Sequence, residues 1–353
     1  MNNYKVRAFL SIFAVGSFIT LFFLDPQRVI SGVSEGLRIC ATAVIPSLFP
    51  FIVMADFLVR SELCTFVGNF LSPVTRFLFR LPGSAGCAVL MSMIGGYPVG
   101  AKMTANLLEK GDISVNQSRR MMLFCINAGP AFVVGTVGEI IFSSRRAGVI
   151  LYIAMIVSSL LMGFVLRFFD KSSVELKRKN TTFCGGVISE SVAESLNTTL
   201  RLCAWILVFS FLNPMIEYLL AGRVDVTWVK MLTEVTGGCI GAAEMLPVSV
   251  QAMVMGWAGL SVHCQIMTCI RQTGLRYGYF AVSRLIHGIL AMIVAQLLFR
   301  LFPCETDVFS TATGVMPELY SVSIPASVSM LLLAVIFITD LSFRQTKKYN
   351  DEA

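Results

Sequence analysis

Charge is what this chain has least of. Only 14% of its 353 residues are charged, against about 25% in a soluble domain. Hydrophobic residues make up 56%, and the mean hydropathy is +0.76. A water-facing surface cannot be built from that composition, which excludes an ordinary cytosolic enzyme and a disordered chain. Histidine is nearly absent: two residues, His263 and His287, are too few for a histidine-based metal cluster, and no metal or other cofactor is expected. Ten cysteines are present but none forms a C-x-x-C pair. Most lie in apolar runs, where a thiol is a small packing residue that stays reduced, so a secreted disulfide scaffold is excluded. The HExxH, GxSxG, P-loop and GxGxxG patterns are missing in any usable context. Ser261 and His263 stand two apart without an acidic partner, and the chain is expected not to be an enzyme. The excess of 28 basic over 21 acidic residues reads as membrane topology and not as nucleic-acid affinity.

Long apolar runs are what the chain has instead. A hydrocarbon core needs about 20 apolar residues in a helix. The expected fold is an all-α polytopic membrane protein of about eight transmembrane helices, at 8–24, 37–59, 118–142, 147–167, 196–220, 251–270, 280–301 and 321–341. The first run ends in Leu24-Asp25-Pro26 and lacks a small-residue cleavage site, so it reads as an uncleaved span. Two further segments, 84–110 and 227–250, are interrupted by Gly95-Gly96-Tyr97-Pro98-Val99-Gly100 and by Thr236-Gly237-Gly238-Cys239-Ile240-Gly241. Gly and Pro break a helix, and broken backbone at membrane depth is tolerated only where protein buries it or a cavity lines it. Both segments are therefore expected to be re-entrant hairpins. With the amino and carboxyl termini cytoplasmic, 20 of the 28 basic residues then lie on the cytoplasmic side, Arg284 counted among them, and Arg201 falls within a span. A full crossing at 81–101 would move the basic segments 102–120 and 167–190 outside, against the positive-inside rule.

The two halves echo each other. Leu37-Arg38-Ile39-Cys40-Ala41 is matched by Leu200-Arg201-Leu202-Cys203-Ala204. Each opens a span, then comes a hairpin, then a span broken at its centre: Asn127-Ala128-Gly129-Pro130 in one half, Trp257-Ala258-Gly259-Leu260-Ser261 in the other. An odd number of crossings between the halves makes the repeat inverted, a design of secondary transporters. The expected organisation is a first transmembrane helix (1–30), a first repeat (31–169), a cytoplasmic linker (170–189), a second repeat (190–302), and an outer loop with the last transmembrane helix and tail (303–353). The stretch 61–82 reads as an interfacial amphipathic helix broken near Pro73.

Candidate site residues follow from the breaks. A hairpin tip leaves free N–H groups that attract anions. Gly96 and Gly100 shape the first tip, and Tyr97 either helps shape a substrate site or serves the turn. Lys102 adds a full positive charge: it is an anion-binding residue or a lysine that snorkels to the interface. Asn127 offers an amide to substrate or to backbone groups freed by the break. Glu234, beside Thr236 and just before the second tip, is costly at membrane depth; it pairs with Lys102, holds a coupling proton, binds a cation or forms a structural ion pair. His263 carries a proton, donates to substrate or is packed, and Gln265 is an amide donor. His287 reads as a packing residue.

Gly96-Tyr97-Pro98-Val99-Gly100-Ala101-Lys102, Phe124-Cys125-Ile126-Asn127-Ala128-Gly129-Pro130 with Gly135-Thr136-Val137-Gly138, Glu234-Val235-Thr236-Gly237-Gly238 and Gly259-Leu260-Ser261-Val262-His263-Cys264-Gln265 together resemble the YlbJ/SpoVV-type sporulation integral membrane proteins. The resemblance covers roughly residues 30–300. It implies a nucleoside-recognition Gate domain similar to concentrative nucleoside transporters, with two hairpins and two broken helices. It also implies a role in spore maturation, moving dipicolinic acid across the outer forespore membrane. The expected partners are a small anionic substrate and the lipid bilayer, with a homo-oligomer left open. The alternatives are a nucleoside or nucleobase carrier and a non-transporting scaffold in spore assembly.

Overall fold

A computed structural model describes residues 25–61, 63–169, 187–220 and 225–304, with Gly16, Thr20, Phe22 and Phe23 ahead of them. The expected span 321–341, most of the span 8–24 and the linker over 170–186 lie outside the described residues. Every described element is a helix.

Asp25 starts the first helix, α1 (Pro26–Ile39). Its carboxylate accepts from the Arg28 amide at 3.0 Å and from Arg28 Nε at 2.9 Å, and proline follows at the first helical position, where its missing N–H costs nothing. This start lies ahead of the expected span at 37–59. α1 runs through one π-helical stretch (Cys40–Val44) into α2 (Ile45–Arg60).

α3 (Leu63–Phe79) contains Pro73 within it, so the expected break near Pro73 is corrected. Proline removes one N–H bond and crowds the carbonyl four residues back, yet the helix continues through it. The chain turns instead after α3, at Arg80 with φ 50°. The Arg120 guanidinium donates there to the Phe79 and Arg80 carbonyls at 2.9 and 3.1 Å. The following helix, α4 (Gly83–Gly95), leaves this corner bent by 86° from Phe66–Phe79. Phe66, Phe70 and Phe77 of α3 are strongly exposed, as the amphipathic reading requires.

α4 packs against α5 (Tyr97–Lys110) across the single residue Gly96. A capping box of Ser114 and Gln117 opens α6 (Val115–Phe124). After an irregular stretch at 125–130 come a π-helical segment (Ala131–Ile141) and α7 (Arg145–Leu166). The second half holds the long α8 (Val187–Leu220), the packed pair α9 (Val226–Thr233) and α10 (Val235–Met245), the broken helix α11 (Val250–Trp257) and α12 (Gly259–Gln272), and α13 (Tyr277–Leu301).

Small residues set the closest helix contacts. Gly138 lies on Gly148, and Gly256 lies on Gly288, backbone to backbone. This is how helices associate where lipid removes the hydrophobic drive between them. Among the described residues four helices, at Arg145–Leu166, Val187–Leu220, Val250–Gln272 and Tyr277–Leu301, are long and apolar enough to cross a membrane, five if the bent pair Phe66–Phe79 and Gly83–Gly95 is one span. The outer face of α13 exposes Ile286, Ile289, Ile293 and Leu297. Leucine and isoleucine facing outward at helical spacing suit lipid and not water. The chain is a helical integral membrane protein.

Candidate functional site

The first tip forms because Gly96 adopts φ 83° and ψ −175°, a conformation essentially closed to residues with a Cβ. The tip meets the break in its own half: a Cβ on Gly96 would lie 3.4 Å from the Gly129 amide nitrogen. One turn on, Gly100 is pressed against the Cys125 carbonyl and the Ser92 side chain, with no room for a methyl group. The Tyr97 hydroxyl crosses to the other half and donates to the Met255 carbonyl at 2.7 Å.

The second tip is built differently. The break falls at Glu234, not at Gly237-Gly238, which lie inside α10. This corrects the expected position of the tip. The Glu234 carboxylate accepts from the Thr236 amide at 2.9 Å and the Gly237 amide at 2.5 Å, so it fills the anion position that the free N–H groups of a helix start provide. Gly238 serves close approach instead: a Cβ there would lie 2.7 Å from Met231 Cα. The tip again meets the break of its own half, with a Cβ on Gly259 3.0 Å from Glu234 Cα.

Each break is held by a side chain. At the first, Asn127 is buried, and its Nδ2 donates to Ser159 Oγ at 3.1 Å and Ser92 Oγ at 3.3 Å. Ser159 donates in turn to the Phe124 carbonyl at 2.7 Å. Asn127 Oδ1 is buried without a hydrogen bond. The carbonyl end of α6 is also taken by Arg284, whose guanidinium donates to Ile126 at 2.5 Å and to Leu123. Arg284 is fully buried on α13, which corrects its count as a cytoplasmic charge: the negative end of a helix offers a buried cation a partner. At the second break, His263 Nε2 lies 2.9 Å from the Trp257 carbonyl and Nδ1 lies 3.1 Å from the Tyr277 hydroxyl. A carbonyl only accepts, so Nε2 carries a proton, and in the neutral ring Nδ1 accepts from Tyr277. Trp257, Tyr277 and Phe280 surround the ring. His287, fully buried, sets Nε2 3.3 Å from the Met155 carbonyl.

Lys102 does not meet Glu234. Its ammonium lies 2.6 Å from Glu194 Oε1 on α8, and Glu234 is held by its own helix. Glu194 is also within electrostatic reach of Arg60 and Arg201. Arg60 bonds Asp56 at 2.5 Å and Glu190 at 3.3 Å, and Asn106 of α5 donates to the other Asp56 oxygen at 2.6 Å. Asp56 is completely buried. Cys269 of α12 is within electrostatic reach of Lys102, Glu194 and Arg201. Gln265 stands one helical turn before it, donating to Ser261 Oγ at 3.2 Å. The structure thus pairs Lys102 with α8, with Cys269 of α12 in electrostatic reach, while Gln265 bonds within α12. Gly96, Tyr97, Gly100 and Asn127 form a second group at the first break, and Glu234, Thr236 and His263 stand at the second. Sequence reasoning missed Asp56, Glu194 and Arg284. Asp56 and Arg284 carried a usable signal, since each is an ionisable residue in an expected span.

No family model matches the chain, and no solved structure matches it. The chain is similar to Sporulation integral membrane protein YlbJ of Bacillus subtilis (strain 168), at 25% identity over 346 residues, covering 85% of each chain. The chain is therefore YlbJ-like, as its motifs led one to expect.

Proposed function

We propose that this YlbJ-like membrane protein is a transporter of a small organic anion, dipicolinate, moved across the outer forespore membrane during sporulation. The observation that carries the reading is the double meeting of a packed helix pair with a broken helix, Gly96 against Gly129 and Glu234 against Gly259. Discontinuous helices facing each other are the substrate-binding arrangement of secondary transporters. In this reading the pairs α4–α5 and α9–α10 are re-entrant, eight spans cross the bilayer, and both termini are cytoplasmic.

An inverted repeat is supported by the contacts of α1 with α8. Gly32 packs on Phe211, Gly36 on Leu207, and the Cys40 thiol lies 3.9 Å from the Cys203 carbonyl. Residue numbers rise on one helix as they fall on the other, so the helices run antiparallel. Cys40 and Cys203 are the matching residues of the two echoed motifs. Contact between equivalent residues on antiparallel helices is what a two-fold axis between inverted repeats would give. An anionic substrate is supported by Lys102, a largely buried cation whose partner carboxylate, Glu194, is the more exposed of the two.

One observation favours a second reading, a non-transporting scaffold: the Asn127 amide nitrogen and both His263 ring nitrogens are spent on groups around the breaks. Uptake into proteoliposomes separates the two. The transporter reading expects saturable dipicolinate entry, tested against uridine and with and without ion gradients. Uptake of uridine alone would favour the nucleoside carrier, and uptake of neither by folded protein would favour the scaffold.

A further inference from the structure

The Lys102–Glu194 pair joins α5, an arm of the first helix pair, to α8, the long helix that opens the second half. Lys102 is 13% exposed and Glu194 39%, so the lysine is held inside and the carboxylate reaches it from a more open side. Glu194 has Arg60 and Arg201 within reach as well as Lys102, and Arg60 is shared with Glu190 and the buried Asp56. The three cations are already matched by three carboxylates, Glu194, Glu190 and Asp56, so a bound dicarboxylate would have to take the place of one of them.

We propose that Glu194 is an internal competitor for the substrate's carboxylate: a small dicarboxylate displaces it from Lys102, and the displacement unties α5 from α8. The assignment rests on the anion-transport reading and deepens it by giving that reading its anion subsite and a gating contact. Lys102 passes from one carboxylate to another, so no unpaired buried cation is created at any stage, which is the condition a charge in a low-dielectric interior imposes. Asp56 is buried and held by Arg60 and Asn106, so it is not the carboxylate that a ligand displaces. A monoanion would supply one carboxylate for Lys102, whereas a dianion brings a second that can take the place of the exposed Glu190 at Arg60.

The test is dicarboxylate binding to purified full-length protein, with dipicolinate and phthalate as probes, measured as thermal stabilisation in detergent and by calorimetry, alongside dipicolinate uptake. Glu194→Gln removes the competing charge and keeps the side chain's size. A partly exposed pair contributes modestly, so its removal is expected to tighten dicarboxylate binding by about fivefold. Benzoate, a monoanion, should gain less. Lys102→Met and the double variant Lys102→Met/Glu194→Gln should bind neither dicarboxylate, and the double variant should remain monodisperse because no charge of the pair is left alone. Unchanged affinity in folded Glu194→Gln, with wild-type dipicolinate uptake intact, would overturn the competitor role and leave the transport reading standing. Equal binding by the Lys102→Met variants would overturn the subsite. Absence of dicarboxylate binding by both wild type and Glu194→Gln would overturn the proposal whatever the transport result.

Discussion

His263 is where the structure makes a proton carrier and a structural cap most easily separable. Its Nε2–H is committed to the Trp257 carbonyl at the end of α11, and its Nδ1 to the Tyr277 hydroxyl. Replacing it with phenylalanine keeps a ring among Trp257, Tyr277 and Phe280 but leaves the Trp257 carbonyl without its donor. An unsatisfied buried acceptor costs about 1–3 kcal/mol. At about 2–4 °C per kcal/mol for a chain of moderate size, His263→Phe should lower the melting temperature by about 5 °C. Glutamine, whose terminal amide lies near the position of Nε2, keeps the donor and gives up ring contacts worth roughly 0.5–1.5 kcal/mol. His263→Gln should therefore melt between wild type and His263→Phe, and should retain substrate uptake with an unchanged pH profile. Thermal melts in detergent by tryptophan fluorescence, followed by uptake from pH 5.5 to 8, make the comparison. A His263→Phe protein as stable as wild type would refute the capping argument. A folded His263→Gln protein that has lost gradient-driven uptake would refute the structural assignment and return the histidine to proton transfer.

Three further outcomes follow from the same geometry. Gly96→Ala forces a Cβ onto φ 83° and ψ −175° and should cost of order 1–3 kcal/mol, read as a lower melting temperature, whereas Gly135→Ala, where a Cβ meets open space, should not. Glu234→Ala strips the start of α10 of its carboxylate cap and should cost about 1 kcal/mol, with faster amide exchange at Thr236 and Gly237. Mild oxidation with copper phenanthroline should join Cys40 to Cys203 within one chain, detected as a cross-linked peptide by mass spectrometry and lost in Cys40→Ala; its absence would contradict the contact between α1 and α8.

The sequence disclosed the breaks made by backbone chemistry. Gly96, Asn127 to Pro130 and Ala258-Gly259 interrupt helices where glycine and proline said they would, because the penalty is local. The second tip was not legible for the same reason in reverse. Gly237-Gly238 looked like the break, yet glycine is tolerated inside a helix that needs it for close packing, as Gly238 does against Met231. The break fell on a glutamate, a residue type that is not among the usual helix caps. Pro73 misled similarly, since α3 closes around it. Long-range electrostatics were beyond a linear reading: Lys102 and Glu194 are 92 residues apart, and nothing local distinguishes Glu194 from its neighbour Glu190. Arg284 was legible in principle. It interrupts an apolar run, but a count of basic residues by side treated it as a loop charge, while the carbonyl end of α6 gave it a buried partner.

Dipicolinate flux is the most direct measurement of the central claim. Wild type and Lys102→Ala, reconstituted at matched amounts of folded protein, would be compared for uptake of radiolabelled dipicolinate into liposomes. The account predicts saturable uptake by wild type, competed by unlabelled dipicolinate, and none above background for Lys102→Ala. Equal uptake by both proteins would remove Lys102 from the transport site, and no uptake by folded wild type would contradict the dipicolinate-transport claim itself.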